Sequence, residues 1–290
     1  MTQIIESLTD IAHRYDAVFC DLWGCVHNGI SVFPEAASAL QAFRNRRGVV
    51  LLLTNAPRPR SGVAAQIASM GMPETAWDVI ATSGDSARAA MFEGAVGARV
   101  WFVGEPRDQP FFEPLKLVTD PLSITQVPLK EADGIVCTGP FDPKADPDAL
   151  RPELLLAKTK GLKLLCANPD IVVDRGEARE WCAGAIAALY TEMGGESLYF
   201  GKPHPPIYDL ARRRLIQIGR ETSDARILAI GDGLHTDVLG GMGEGIDTLF
   251  ITGGLSRLET GTDRQPDPTK LDAVISKAHV SPTYAMGYLR

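Results

Sequence analysis

Short apolar runs rich in β-branched residues alternate along the chain with longer stretches of helical spacing, a pattern that predicts parallel βαβ units. The runs predict strands at 17–21, 49–53, 99–103, 133–137, 162–166, 226–230 and 247–251. Pro34 opens an amphipathic segment that runs through Arg44 and is closed by Gly48, so a helix is predicted there. Ser61 to Met70 reads as a second helix, stopped by Gly71. Residues 104–130 are rich in Pro, Asp and Gln and read as irregular, and proline and aspartate punctuate a turn between Gly139 and Pro152. The apolar stretches Trp101 to Val103 and Trp181 to Leu189 read as core.

Composition narrows the class. With 290 residues, 45% apolar and 22% charged, the chain can bury enough surface for two domains. A net charge of -7 argues against a nucleic-acid partner. The five cysteines, Cys20, Cys25, Cys137, Cys166 and Cys182, form no CxxC pair and sit mostly in apolar runs, which suits reduced thiols in a cytoplasmic protein. The first ten residues lack the basic-then-apolar order of a signal peptide, and no apolar stretch approaches the ~20 residues that span a bilayer. The expectation is a cytoplasmic protein without a membrane partner.

Four polar clusters stand at the ends of the apolar runs. Asp21 follows the first, at the strand end where open parallel sheets place their chemistry, and Trp23 stands two positions on. Thr54 and Asn55 follow the second and can donate hydrogen bonds to phosphoryl oxygens without adding charge. The same pair also suits an ordinary turn or helix cap. Tyr199 to Pro205 forms a turn in which glycine and two prolines restrict the direction of Lys202. Ile227 to Ile230 delivers Asp232 and Asp237 into a glycine-rich loop, a carboxylate pair that suits Mg²⁺ and equally an Asx turn followed by a cap.

The order of these clusters resembles the four motifs of the haloacid dehalogenase (HAD) superfamily of hydrolases. The long interval between Asn55 and Lys202 leaves room for an inserted domain, which is similar to the class IIA branch of nitrophenyl phosphate and sugar or nucleotide phosphatases. Val79 to Gly84, Ala167-Asn168-Pro169-Asp170 and Gly184 to Leu189 are further echoes of that branch. The resemblance covers roughly residues 15 to 255, and the tail beyond about 256 lies outside it. It implies an α/β fold: a doubly wound, parallel-sheet, Rossmannoid core over 1–80 and 196–290, with an α/β cap domain over 81–195.

The resemblance also implies roles. Asp21 is the expected nucleophile, forming an aspartyl-phosphate, and a Mg²⁺ ligand together with Asp232, Asp237 and the main-chain carbonyl of Trp23. Thr54, Asn55 and Lys202 are expected to hold the phosphoryl group, with Lys202 offsetting its charge. Asn168, Asp170 and Arg175 in the cap are the candidate substrate contacts, with Asp174, Phe141 and Asp142 as further loop positions. The implied partner is a small phosphorylated metabolite, and relatives of this branch often form homodimers through the cap. Trp23 departs from the family pattern, which has a second aspartate there to protonate the leaving alcohol. An indole cannot do so, so a slow phosphatase is expected unless His27, His204 or His235 carries the proton. Two other readings stand beside it: a module that binds a phosphorylated ligand with weak catalysis, and a dehalogenase, against which the retained Asp232 and Asp237 argue.

Overall fold

A computed structural model describes residues 2–113, 115, 118–175 and 178–290, without the side chains of Asp174 and Arg175. In chain order the strands are β1 (Gln3–Ile4), β2 (Ala17–Cys20), β3 (Val49–Thr54), β4 (Val79–Thr82), β5 (Arg99–Val103), β6 (Thr125–Gln126), β7 (Gly134–Cys137), β8 (Lys163–Cys166), β9 (Val172–Arg175), β10 (Ala178–Trp181), β11 (Glu196–Tyr199), β12 (Ile227–Gly231), β13 (Asp247–Ile251) and β14 (Tyr284–Met286). The helices are α1 (Pro34–Asn45), α2 (Arg60–Ser69), α3 (Ser83–Phe92), α4 (Arg151–Thr159), α5 (Ala183–Glu192), α6 (Pro205–Gln217), α7 (Leu239–Gly243) and α8 (Pro268–Lys277). The described residues divide into two compact units, one of 1–54, 64–81 and 208–290, the other of 55–63 and 82–207.

In the first unit the sheet order is β1-β14-β13-β12-β2-β3-β4. The pairs from β1 through β3 are parallel, with Ala17 opposite both Ile227 and Val49. The central strands β2, β3 and β12 are buried at every position, which is why they appear in the sequence as unbroken apolar runs. Proline at the first turn of α1 and the buried stripe Ala36, Leu40, Phe43 bear out the predicted amphipathic helix. The tail outside the resemblance belongs to this sheet. Its helix α8 packs Leu271 and Ile275 with Phe250 and Ala285, and β14 lies between β1 and β13.

In the second unit the order is β11-β8-β7-β5-β6, all parallel. Alternate residues of these strands enter two cores. Ile135, Cys137, Leu164 and Cys166 meet Leu154, Ala157 and Ile186 of α4 and α5, while Val100, Val136 and Leu165 meet Ala87, Met91 and Phe92 of α3. That is the two-faced burial that a doubly wound sheet needs. The predicted core segment Trp181 to Leu189 holds for α5, whereas Trp181 itself sits half-exposed on the antiparallel hairpin β9-β10. No helix among the described residues is long and apolar enough to cross a membrane.

Candidate functional site

The first unit gathers the carboxylates. Asp21 leaves β2 with its main-chain N–H still donating to Ile230 O at 2.8 Å, so the sheet register itself sets the carboxylate beside the end of β12. The chain then curls back tightly: Val26 and His27 both donate to Leu22 O, and Gly24 donates to His27 O. Gly24 adopts φ +73°, a conformation that glycine accepts without steric cost. The curl brings Cys25 to the carboxylates, and one ligand atom each from Asp21, Cys25 and Asp232 lies within 4.8 Å of the others, all three residues being buried. Sequence reasoning missed Cys25; its place after an Asp-x-x-Gly turn was the only available signal.

Asp232 lies in a cradle made of glycine. A Cβ built on Gly24 or on Gly254 would stand 2.0 Å from its Oδ2, and Leu255 N donates to that oxygen at 2.9 Å. Asp237 is held otherwise. Its Oδ2 accepts from Gly233 N at 3.1 Å and Thr236 Oγ1 at 3.3 Å, and a Cβ on Gly231 would stand 2.0 Å from its Cγ. Thr54 ends β3, buried.

These residues fit Mg²⁺. The ion prefers a few carboxylate oxygens with water completing the shell, and the glycine cradle keeps space around Asp232 that any side chain would fill. The Trp23 carbonyl is a main-chain acceptor that the indole leaves chemically intact. Asp237 lies outside the three-residue cluster, and its bonds to Gly233 and Thr236 suit a residue that shapes the Asp232 loop.

The indole of Trp23 packs edge-on to His27 with ring centroids 5.0 Å apart, and a Cβ on Gly29 would stand 2.3 Å from it. His27 is buried, and desolvation lowers its pKa from 6.5 to about 4. Its Nδ1 accepts from Gly29 N at 3.0 Å, which leaves the ring neutral at physiological pH. His27 is therefore a poor proton donor. Burial, reinforced by the charges of Asp232 and Asp21, pushes the Cys25 thiol well up. His235 is exposed on a π-helical turn, Leu234–Val238.

The second unit holds Lys202 through a neutral amide. Asn55 Oδ1 accepts from Lys202 N at 2.7 Å, while Asn55 Nδ2 donates to Lys202 O at 3.1 Å and to Asp170 Oδ1 at 2.8 Å. Both amide hydrogens of Asn55 thus have acceptors within the protein, so its side chain acts as a brace for the Lys202 main chain. Gly201 permits the approach: a Cβ there would stand 2.4 Å from Asn55 Oδ1 and 2.6 Å from Ser83 Oγ and Pro169 Cδ. Asn168 Oδ1 accepts from Asp170 N at 3.0 Å and fixes the turn that presents Asp170. The segment after Asn55 is gripped as well, with Gly84 N donating to Ala56 O and Thr82 Oγ1 donating to Arg58 O at 2.8 Å. His204 stacks on Tyr199 at 4.8 Å, and burial lowers its pKa. The side chain of Arg175 lies outside the described residues.

The described geometry thus joins Asp21, Cys25 and Asp232 in one unit and Asn55, Lys202, Asp170 and Asn168 in the other. Comparison with known proteins agrees with the motifs. A family described as haloacid dehalogenase-like hydrolase matches residues 18–116, and one described as HAD-hydrolase-like matches 199–277. The 5′-nucleotidase YutF of Bacillus subtilis is 26% identical over 88% of this chain and 94% of its own length. The p-nitrophenyl phosphatase of Archaeoglobus fulgidus shares the fold at 19% identity, with a TM-score of 0.68 over 94% of this chain and 96% of that one. A haloacid dehalogenase-like hydrolase from Brucella suis is 39% identical over 99% of this chain and 100% of its own, with a TM-score of 0.86. Motifs, fold and full-length similarity together place the chain in the haloacid dehalogenase-like hydrolase family, with the fold of its class IIA branch.

Proposed function

We propose that this hydrolase is a Mg²⁺-dependent phosphatase that cleaves a small phosphate monoester through an aspartyl-phosphate on Asp21. The observation that carries the reading is the buried meeting of Asp21 with Asp232, the latter in a glycine cradle. Grouped carboxylate oxygens are the donor set that Mg²⁺ prefers, and a cation is what a phosphoryl-transfer site requires. The similar 5′-nucleotidase supports the substrate class.

In this mechanism a carboxylate oxygen of Asp21 attacks phosphorus in line, and the bond from phosphorus to the ester oxygen breaks. Water then hydrolyses the aspartyl-phosphate, returning the carboxylate and releasing inorganic phosphate. Asp21, Asp232 and the Trp23 carbonyl hold Mg²⁺, which when bound neutralises charge on the transferring group. Asp237 keeps the Asp232 loop in shape. Thr54 donates to a phosphoryl oxygen, and Lys202, held in place by Asn55, offsets negative charge as a compact ammonium. Asn168 and Asp170 act through Asn55 rather than on the substrate. The protein is proposed to act in the cytoplasm, and a homodimer is the assembly expected of its branch.

The leaving alcohol is the weak point of the scheme. Trp23 offers no acidic proton, and His27 is neutral and already hydrogen-bonded. Acid assistance is worth ~10²- to 10⁴-fold, so esters whose leaving groups need no proton should react best. The test is phosphate release from a panel of aryl, acyl and alkyl phosphates with and without Mg²⁺. The expected outcome is Mg²⁺-dependent turnover, with nitrophenyl or acyl phosphate favoured over alkyl esters by at least ~10²-fold. Saturable ligand binding without turnover on any ester would instead favour the binding-module reading, and metal-independent halide release the dehalogenase.

A further inference from the structure

We propose that Cys25 makes the carboxylate site a switchable cation site, in which a borderline or soft divalent ion such as Zn²⁺ binds Asp21, Asp232 and the Cys25 sulfur and displaces Mg²⁺. This rests on the assignment of Asp21 and Asp232 as the metal carboxylates. Three observations support it. Cys25 Sγ lies within 4.8 Å of a carboxylate oxygen from each aspartate. The thiol is 1% exposed and makes no hydrogen bond among the described residues, so it stands unpartnered beside the two oxygens. Cys20, the last residue of β2, behaves differently: its thiol donates to Asp21 O at 3.2 Å.

The chemistry sorts the ions. Mg²⁺ is a hard cation that takes oxygen ligands and keeps its waters, so it uses the two carboxylates and leaves the sulfur aside. Zn²⁺ accepts mixed oxygen and sulfur sets, with bonds of about 2.0–2.2 Å to oxygen and about 2.3 Å to sulfur. Three ligand atoms grouped this closely lie near the reach of one such ion. On binding, the S–H bond breaks, a metal–sulfur bond forms and the proton passes to the solvent buffer. The remaining positions belong to water. Thiolate ligation also favours ions later in the divalent series over Mg²⁺. The site therefore accepts Mg²⁺ for turnover and is closed by a softer ion.

The full-length protein can be titrated with Cd²⁺, a spectroscopic stand-in for Zn²⁺, while the thiolate-to-metal charge-transfer absorption is followed in the ultraviolet. The expected result is a band that saturates at one ion per chain, reaches half its height at a higher Cd²⁺ concentration when Mg²⁺ is present, and is lost in both Cys25→Ser and Cys25→Ala. Asp232→Asn should weaken the same band by reducing Cd²⁺ affinity. No band in the wild type, a band that survives loss of Cys25, or a Cd²⁺ midpoint that added Mg²⁺ leaves unchanged overturns the proposal. The Mg²⁺-displacement arm uses only the wild-type chain, so it decides even where a variant fails to fold. Phosphate release by wild type with Mg²⁺ is read in parallel. Turnover without the band sinks this inference alone, and the band without turnover sinks the phosphatase reading alone.

Discussion

The two units handle buried polarity in opposite ways. In the first, Asp21 and Asp232 bring charges of the same sign together, with glycines clearing the space around Asp232. In the second, the amide of Asn55 matches donor to acceptor on Lys202 and Asp170, so each polar atom it touches is satisfied inside the protein. The first arrangement is a donor set that suits a cation, whereas the second closes a loop of hydrogen bonds. Grouped carboxylates offer oxygens to a cation, and a side-chain amide that spans two main-chain groups fixes their position.

Replacing the nucleophile gives the widest separation between the two units. Asp21→Asn should lower phosphate release by roughly 10⁴-fold or more, while leaving the Asn55 brace intact, as single-turnover kinetics and thermal unfolding of the same sample would report. A residual rate near that of wild type would remove Asp21 from the chemistry.

Breaking the brace should act next most strongly, and through a different observable. Asn55→Ala leaves Lys202 N, Lys202 O and Asp170 without this partner, and turnover should fall by up to about 10²-fold as Lys202 loses its placement. Apparent Mg²⁺ affinity should not change. Asn55→Asp should do no better than alanine, because its second oxygen would face the Lys202 carbonyl and the Asp170 carboxylate. Restored turnover in Asn55→Asp would contradict the brace.

Filling the cradle should give the converse result. Gly24→Ala forces a side chain into φ +73° and against Asp232 Oδ2, so apparent Mg²⁺ affinity should drop by about ten- to a hundredfold. The backbone strain adds a stability cost of ~1–3 kcal/mol. Titrating Mg²⁺ against turnover in both variants checks the contrast, which collapses if Asn55→Ala and Gly24→Ala shift the same parameter.

The smallest effect belongs to His27. Burial lowers its pKa from 6.5 to about 4, so the unfolded chain binds a proton more readily than the folded one between those values. Its contribution is fully present above pH 6.5 and is lost as pH falls towards 4. About 1.4 kcal/mol should be gone by pH 5.5 and roughly 3 kcal/mol by pH 4. Urea unfolding at pH 7.5 and 5.5 should show this loss in wild type and its reduction in His27→Gln. Equal losses in both would place the acid sensitivity elsewhere.

Much of the fold was legible because the strands that matter are buried on both faces. Val49 to Leu53 and Ile227 to Ile230 stand out as apolar runs, and the polar residues that follow them mark where each strand ends. The strands that escaped notice are short, edge or exposed. β10 is exposed at three of its four positions, and β14 spans three residues whose burial depends on β1 and β13. The tail from Pro268 onward is core for the same reason: its apolar residues are too few to announce a strand until Phe250 and Ile4 are beside them.

The sequence by itself determined that Asp21, Thr54, Lys202 and Asp232 lie at element ends in the order that marks a haloacid dehalogenase-like hydrolase. Local patterning suffices for that, since a strand's burial and its terminating polar residue are written in neighbouring positions. Only the tertiary structure decided what those residues touch. The curl at Gly24 set Cys25 beside two aspartates, burial made His27 neutral, and packing at Gly201 set the Asn55 amide against the Lys202 main chain. Each depends on close approach between residues far apart in the chain, and no local pattern of apolar and polar positions encodes such distances.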